Sequence, residues 1–328
     1  GLLGRPQAEA PGKPLTHPPF APLPTRAKWL WLAAFAVAAL LPLVVGDYIV
    51  VIATEMAIAS LLAASLHFAM GLGGIVSFGH AAFFGAGAYV AAFCMSSGIS
   101  EALIAFPLAM IVAGLLALLV GALSLRTRGV YFIMITLAFA QMIYYLFVSA
   151  RVLGGDDGLP LTGRMTLAGF SLGSDSALFY AALGALVLVL IFLGRLTDAR
   201  FGRTIQAIRE NESRMEGLGY PVFRYRLVCF ALGGALAGLA GALLANLTGL
   251  ASPNVLQWMQ SGSLLVMVII GGVGYLYGGV VGAAVLLTLE EVLVGFTPHW
   301  HIGLGLLLIG IVLFAPRGVA ALFGKRDG

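Results

Sequence analysis

A chain of 328 residues with 60% hydrophobic and only 10% charged residues, and a mean hydropathy of +1.02, cannot dress a water-exposed surface. Soluble domains carry about 25% charged residues. The composition excludes a soluble globular protein and implies that lipid is the solvent for most of the surface, with 44 glycines to let helices approach closely.

In chain order, residues 1–28 are polar and rich in proline (Pro6, Pro11, Pro14, Pro18, Pro19, Pro22 and Pro24). They are too irregular for the apolar core of a cleavable signal and read as a flexible cytoplasmic tail. A helical span needs about 20 apolar residues. Residues 29–46 and 48–70 supply two, parted by Asp47, and the small, Gly-rich run 75–95 supplies a third. Residues 102–124 and 130–150 follow, separated by Arg126 and Arg128. The stretch 151–176 is too charged and turn-rich to cross and reads as an outer, periplasmic loop. Residues 177–194 resume the apolar pattern, and 195–226 form the longest charged stretch of the chain. Spans at 227–247, 263–271, 273–294 and 301–315 complete an all-α, polytopic transmembrane helical bundle of about ten spans.

With the N-terminus inside and the spans alternating, all but two of the 18 Lys and Arg residues fall on the inner side. These include Arg5, Lys13, Arg26, Lys28, Arg126, Arg128, the arginines of 195–226, Arg317, Lys325 and Arg326. Only Arg151 and Arg164 fall outside. That is the positive-inside bias, and it puts both termini in the cytoplasm, which requires an even number of spans. Residues 29–316 then form the transmembrane domain and 317–328 a second cytoplasmic tail. The net charge of +4 expresses this topology, and no nucleic-acid partner is expected.

No G-x-x-x-x-G-K-[ST], H-E-x-x-H or G-x-S-x-G pattern occurs. The chain is therefore not read as an enzyme, and no cofactor or metal is expected. Cys94 and Cys229 lie in apolar runs as small buried hydrophobes. Trp29, Trp31 and Trp300, the last flanked by His299 and His301, read as interface residues.

The charged stretch 195–226 is longer than a connection requires. Within it, Ile205, Ile208, Met215 and Leu218 recur on one helical face. Glu210 and Arg214 at i,i+4, and Arg209 and Glu212 at i,i+3, are placed to pair on the other. Gly217, Gly219 and Pro221 end the pattern. A short amphipathic helix over 203–218 is expected, either lying in the lipid headgroups or docking a cytoplasmic partner. A few polar residues interrupt the apolar runs. Glu55 lies inside a span, where a carboxylate is a functional candidate or a residue close to the outer interface. Ser77 and His80 sit in a Gly-rich stretch. Glycine-broken helices line substrate routes in transporters, although glycines also serve close packing and Ser77 can cap a helix. Gln141 with Tyr144 and Tyr145 can hydrogen-bond a zwitterion or pin neighbouring helices. Gly233, Ala237, Gly241 and Ala245, at i,i+4 spacing, read as a packing surface.

These stretches carry a resemblance. Gly202-Arg203-Thr204-Ile205-Gln206-Ala207-Ile208-Arg209-Glu210-Asn211-Glu212, with Leu218-Gly219-Tyr220 and Phe223-Arg224-Tyr225-Arg226, resembles the cytoplasmic loop of the LivM-type permeases, membrane subunits of ABC importers for branched-chain amino acids. The Ser77-Phe78-Gly79-His80 core, the Leu125-Arg126-Thr127-Arg128-Gly129 turn, Gly154-Gly155-Asp156-Asp157-Gly158, the run from Gly271 to Gly282 and Pro316-Arg317-Gly318 are similar in the same order. Tyr275 and the Pro-rich tail depart from the pattern. The resemblance implies a bacterial inner-membrane permease subunit working with two cytoplasmic ABC ATPase subunits, which carry the ATP hydrolysis. It also implies a second related permease subunit, as a heterodimer, and a periplasmic solute-binding protein. Arg203, Ile205, Ile208, Arg209, Glu212, Met215 and Gly219 would then form the coupling segment against the ATPase. Glu55, Ser77, His80, Gln141 and Tyr144 would be candidates for the translocation pathway. Permeases of this type also import urea and short amides. An ATPase-independent transporter or channel would instead need intramembrane ion-coupling carboxylates, for which Glu55 is the clear support.

Overall fold

The computed structural model describes residues 25–275, 277–296, 300–314 and 318–319. The Pro-rich segment before Thr25, Arg317, Lys325 and Arg326, His299, the Pro316-Arg317 pair, and the side chains of Trp29, Trp300 and His301 lie outside the described residues. The chain is built from α1 (Thr25–Val44), α2 (Asp47–His67), α3 (His80–Ser96), α4 (Ala102–Ser124), α5 (Val130–Ser149), α6 (Asp175–Asp198), α7 (Arg200–Glu210), α8 (Glu212–Gly217), α9 (Val222–Thr248), α10 (Trp258–Gly271), α11 (Gly278–Phe296) and α12 (Trp300–Phe314). Among the described residues, six helices are long and apolar enough to cross a membrane. They are α2 with its extension to Leu72, α4, α5, α6, α9 and α11. Ala33–Val44, α3 and α10 are shorter apolar helices.

Residue size decides which side of a helix faces in. In α4, Ala102, Ala105, Ala109, Ala113 and Ala117 are fully buried, while Leu103, Ile104, Leu108, Ile111, Leu115 and Leu119 point out, Leu115 with 60% of its surface exposed. This inside-out pattern suits helices in lipid, where small residues make the interfaces. The alanine stripe packs on α9, which also receives α3. At that crossing a Cβ on Gly87 would lie 2.0 Å from the Gly238 carbonyl oxygen, and a Cβ on Gly238 would lie 2.4 Å from the Cβ of Ala113. The expected packing surface of α9 is buried at Gly233, Ala237, Gly241 and Ala245. Cys94 and Cys229 are free and buried.

Several predicted boundaries move. The third predicted span, 75–95, does not start as a helix. α2 runs into a π turn at Phe68–Leu72, residues 74–79 are almost wholly irregular, and helix resumes only at His80. Gly74, at φ +65°, supplies the bend, a conformation that favours glycine. The span predicted at 273–294 likewise begins later, at Gly278, after a turn in which the Tyr275 amide donates to the Gly272 carbonyl (3.3 Å) and the Gly278 amide to the Tyr275 carbonyl (2.8 Å).

The all-α expectation is modified by two small antiparallel sheets. β1 (Leu159–Pro160) pairs with β4 (Leu250–Ala251), and β2 (Thr166–Leu167) pairs with β3 (Phe170–Ser171). The second pair is a two-residue hairpin with positive φ at both Ala168 and Gly169, the geometry that matches strand twist. Glu101 holds it. Its carboxylate accepts from the Ala168 amide (2.6 Å) and the Thr166 hydroxyl (2.9 Å).

The connections gather at two ends of the bundle. At one, the Thr166 amide donates to the Ser100 carbonyl and the Leu161 amide to the Gly249 carbonyl. At the other lie Gly71, Arg128 and the α7–α8 pair, joined by side-chain contacts.

Candidate functional site

Two features stand out, and they touch. The first is the interruption between α2 and α3. An unwound segment inside an apolar bundle leaves amides without helical partners, and each must find another acceptor. The Phe78 amide donates to Thr136 Oγ1 of α5 at 3.3 Å, the Gly79 amide to Ser77 Oγ at 3.0 Å, and the Ala81 amide to Ser261 Oγ of α10 at 3.0 Å. Thr136 in turn donates to the Ile133 carbonyl at 3.0 Å. Ser77, Thr136 and Ser261 are fully buried. Three hydroxyls from three elements thus clamp the broken span.

His80, the first residue of α3, is also fully buried. Its ring meets Phe83 and Phe230 edge-on at centroid distances of 5.7 and 6.0 Å. Neither ring nitrogen has a hydrogen-bond partner among the described residues. The structure therefore brings Ser77 and His80 to one place and adds Thr136 and Ser261, to which the sequence reading assigned no role. The signal available was a hydroxyl inside an apolar run beside a glycine-broken helix.

The remaining pathway candidates are spread out. Tyr144 lies two turns beyond Thr136 on α5, where its hydroxyl accepts from Gln257 Nε2 at 3.5 Å, while Gln141 is half-buried on the same helix. Glu55 is elsewhere. It is exposed on α2, in a groove of about 140 Å³ shared with Ile52, Met56, Leu287, Glu290, Glu291 and Val294. At that side the Tyr48 hydroxyl donates to Glu291 at 2.7 Å.

The second feature is the charged stretch. The single helix predicted over 203–218 is two, broken at Asn211. The backbone there is extended, and the Asn211 side chain accepts from the Arg214 amide at 2.9 Å to cap α8, a role suited to asparagine. The predicted Arg209–Glu212 and Glu210–Arg214 pairs do not form. Glu212 instead binds Arg128 and Arg226, each at 3.2 Å. Arg209 donates from Nη1 to the carbonyl of Gly71 in the π turn. Burial pulls the Arg209 guanidinium below the usual arginine range, opposed by the neighbouring Glu210, yet an arginine remains charged at neutral pH.

Ile205, Ile208 and Met215 are buried, while the exposed Arg209 and the half-buried Glu212 reach back to the bundle through their contacts with Gly71, Arg128 and Arg226. Arg203 is exposed, with Nε on the Asp198 carbonyl at 3.1 Å. Gly219 is exposed at φ +84° and closes α8 with its amide on the Glu216 carbonyl. Leu218, expected on the apolar face, is instead 65% exposed, because α8 ends at Gly217 before it. The outward surface is formed by Glu210, Arg214 and Glu216 with Leu218, Tyr220 and Phe223, the last two 42% and 41% exposed.

Six helices long and apolar enough to cross a membrane, with large residues turned outward, define a multi-pass membrane protein. Residues 48–315 match the family described as branched-chain amino acid transport system / permease component, and the chain belongs to that family. Permease components of this kind are not themselves enzymes. The chain is 28% identical over 318 residues to the high-affinity branched-chain amino acid transport system permease protein LivM of Salmonella typhimurium, covering 90% of this chain and 75% of the relative. The Escherichia coli LivM protein is similar to the same extent. The autoinducer 2 import system permease protein LsrC of Enterobacter sp. is 31% identical over 157 residues, covering 45% of this chain and 46% of that protein. No solved structure matches the chain.

Proposed function

We propose that the chain is the membrane-spanning permease subunit of an ATP-driven ABC importer in a bacterial inner membrane. Its cargo is branched-chain or related amino acids handed over by a periplasmic binding protein. The observation that carries this reading is the α7–α8 pair. Its buried face is locked to the bundle, its outer face presents exposed charged residues, and the exposed Leu218, Tyr220 and Phe223 follow directly after it. One of two ATPase subunits seats on that outer face, and a second, related permease, which seats the other, completes the translocation unit. The apolar helices make ten spans with both termini inside, oriented by the basic residues at the α7–α8 end. Ser77, His80, Gln141 and Tyr144 flank the route, beside the interrupted span. Glu55 lies on the α2–α11 side, away from that break, which favours nucleotide-driven over ion-coupled movement.

Nucleotide-driven closure of the ATPases shifts the bundle between outward- and inward-open states, through contacts that differ between those states. The test is reconstitution of the chain with its ATPases, second permease and binding protein in proteoliposomes. ATP-dependent uptake of labelled leucine is the expected result. Uptake without ATP, or none with all subunits assembled, rejects the reading. The similarity to an autoinducer 2 permease over about half the chain and to a xylose permease over a third of it supports a second reading, a sugar or autoinducer 2 as the solute. Urea and short amides form a third class, and competition against leucine uptake separates them.

A further inference from the structure

The helical pair and the broken span are joined by one side chain. Arg209 is the only residue of α7 or α8 whose side chain hydrogen-bonds to residues 68–79 among the described residues. Its Nη1 takes the Gly71 carbonyl, one of those that the end of a helix leaves without an intrahelical donor. Its aliphatic stem lies along Gly74, where a Cβ would sit 3.2 Å from Arg209 Cγ, at the bend with φ +65°. Just beyond, residues 77–81 are fixed by Ser77, Thr136 and Ser261. The intervening stretch has lost its regular helical hydrogen bonds, and a π turn precedes it, a feature that recurs at functional sites. A soft segment anchored at its far end and gripped at its near end by a surface helix moves when that helix moves.

We propose that Arg209 is the positioning residue through which α7 sets the conformation of the interrupted span, and with it the access of solute past Ser77 and His80. The role in transport rests on the permease reading above; the grip itself does not. Displacement of α7 carries the guanidinium, the π turn and the Gly74 bend with it. The segment beside Ser77 and His80 then moves with them.

Cys229 gives a direct reporter. Its Sγ would lie 3.3 Å from a Cβ on Gly73, and it is fully buried, so its alkylation by N-ethylmaleimide requires local opening of this segment. Cys94, also buried but near the far end of α3, is an internal control. In the purified full-length chain, Arg209→Gln is expected to raise the modification rate of Cys229 several-fold, read by mass spectrometry, with Cys94 unchanged. Arg209→Lys, which keeps a donor and a charge, is expected to recover most of the protection. Equal acceleration at both cysteines means general destabilisation and overturns the proposal, as does no change at Cys229. In the assembled importer, exchanging ADP for ATP should change the Cys229 rate in the wild type and not in Arg209→Gln. A nucleotide response that survives the substitution overturns the transmission role. A wild-type chain that binds no ATPase sinks the permease reading, while the isolated-chain measurement still decides the grip.

Discussion

Glu212 and Arg226 meet at 3.2 Å, and this contact ties the start of α8 to the first turn of α9. Arg128, from the turn before α5, reaches the same carboxylate at 3.2 Å, so one acidic group holds three parts of the chain. The Glu212–Arg226 side chains are each only 22% exposed, which places the pair between the surface and buried regimes. Removing the carboxylate by Glu212→Gln should cost roughly 1–2 kcal/mol, seen as a lower melting temperature in detergent. Glu212→Arg should cost more, because it brings a third guanidinium to the cluster. Combining it with Arg209→Glu also sets a carboxylate against the Gly71 carbonyl, so that double swap should destabilise the α7–α8 region rather than leave the fold intact. An unchanged melting curve for any of these three variants would remove the structural role assigned to this cluster.

The α3–α9 crossing has no room for a side chain. Gly87→Val is expected to lose most folded protein, since a Cβ there meets the Gly238 carbonyl at 2.0 Å and backbone cannot retreat as a side chain can. Overpacking of this kind costs about 1–3 kcal/mol or more. Gly184→Ala, with nothing within 4 Å of the new Cβ, should be neutral. Expression level and monodispersity in detergent compare the two.

The hydroxyl clamp on the broken span predicts a different pattern. Ser261→Ala leaves the buried Ala81 amide without its acceptor, at a cost of about 1–3 kcal/mol, and Thr136→Val does the same to the part-buried Phe78 amide at the lower end of that range. Thr136→Ser should be close to silent. Hydrogen exchange at residues 78–81 is the sensitive readout. Exchange should accelerate locally in Thr136→Val and Ser261→Ala, and wild-type protection there would show that the hydroxyls are not the acceptors.

Much of this was legible in the sequence, and the reasons are physical. Hydropathy marks a span because a helix must be apolar over its whole length, so α4 was placed at its observed ends and α5 within a residue. Hydropathy is blind to a break, because Ile75 and Val76 are apolar whether helical or unwound. The third span, expected over 75–95, therefore starts in the unwound stretch, five residues before helix resumes at His80, although Ser77 and His80 within it are singled out by the sequence. The periodicity of Ile205, Ile208 and Met215 located the buried face of the cytoplasmic pair. It could not say that Arg209 and Glu212 prefer partners far along the chain, Gly71 and Arg128, to each other. Spacing within a helix reports which charges are near, not which contacts win once the helix is packed.

That distinction sets the last prediction, which concerns the outer surface of α7–α8. Residues that hold this pair to the bundle and residues that would meet an ATPase are on opposite sides, so their substitutions should separate in experiment. Leu218, Tyr220 and Phe223 are large and exposed, and they follow the exposed Arg214 and Glu216 closely along the chain. Exposed aromatic and aliphatic groups at one edge of a polar surface are typical anchors of protein contacts. Tyr220→Ala or Phe223→Ala should weaken ATPase binding by about tenfold, some 1.4 kcal/mol, with little change in melting temperature. Leu218→Asp should do so more strongly, because it buries a charge on docking. Glu212→Gln, by contrast, should lower the melting temperature first and affect ATPase binding only through that loss. Affinity measured between the purified permease and its ATPases, alongside melting in the same detergent, distinguishes the two classes. If the outer-face variants bind normally while the inner-face variants lose binding at unchanged stability, the docking surface has been placed on the wrong side of the pair.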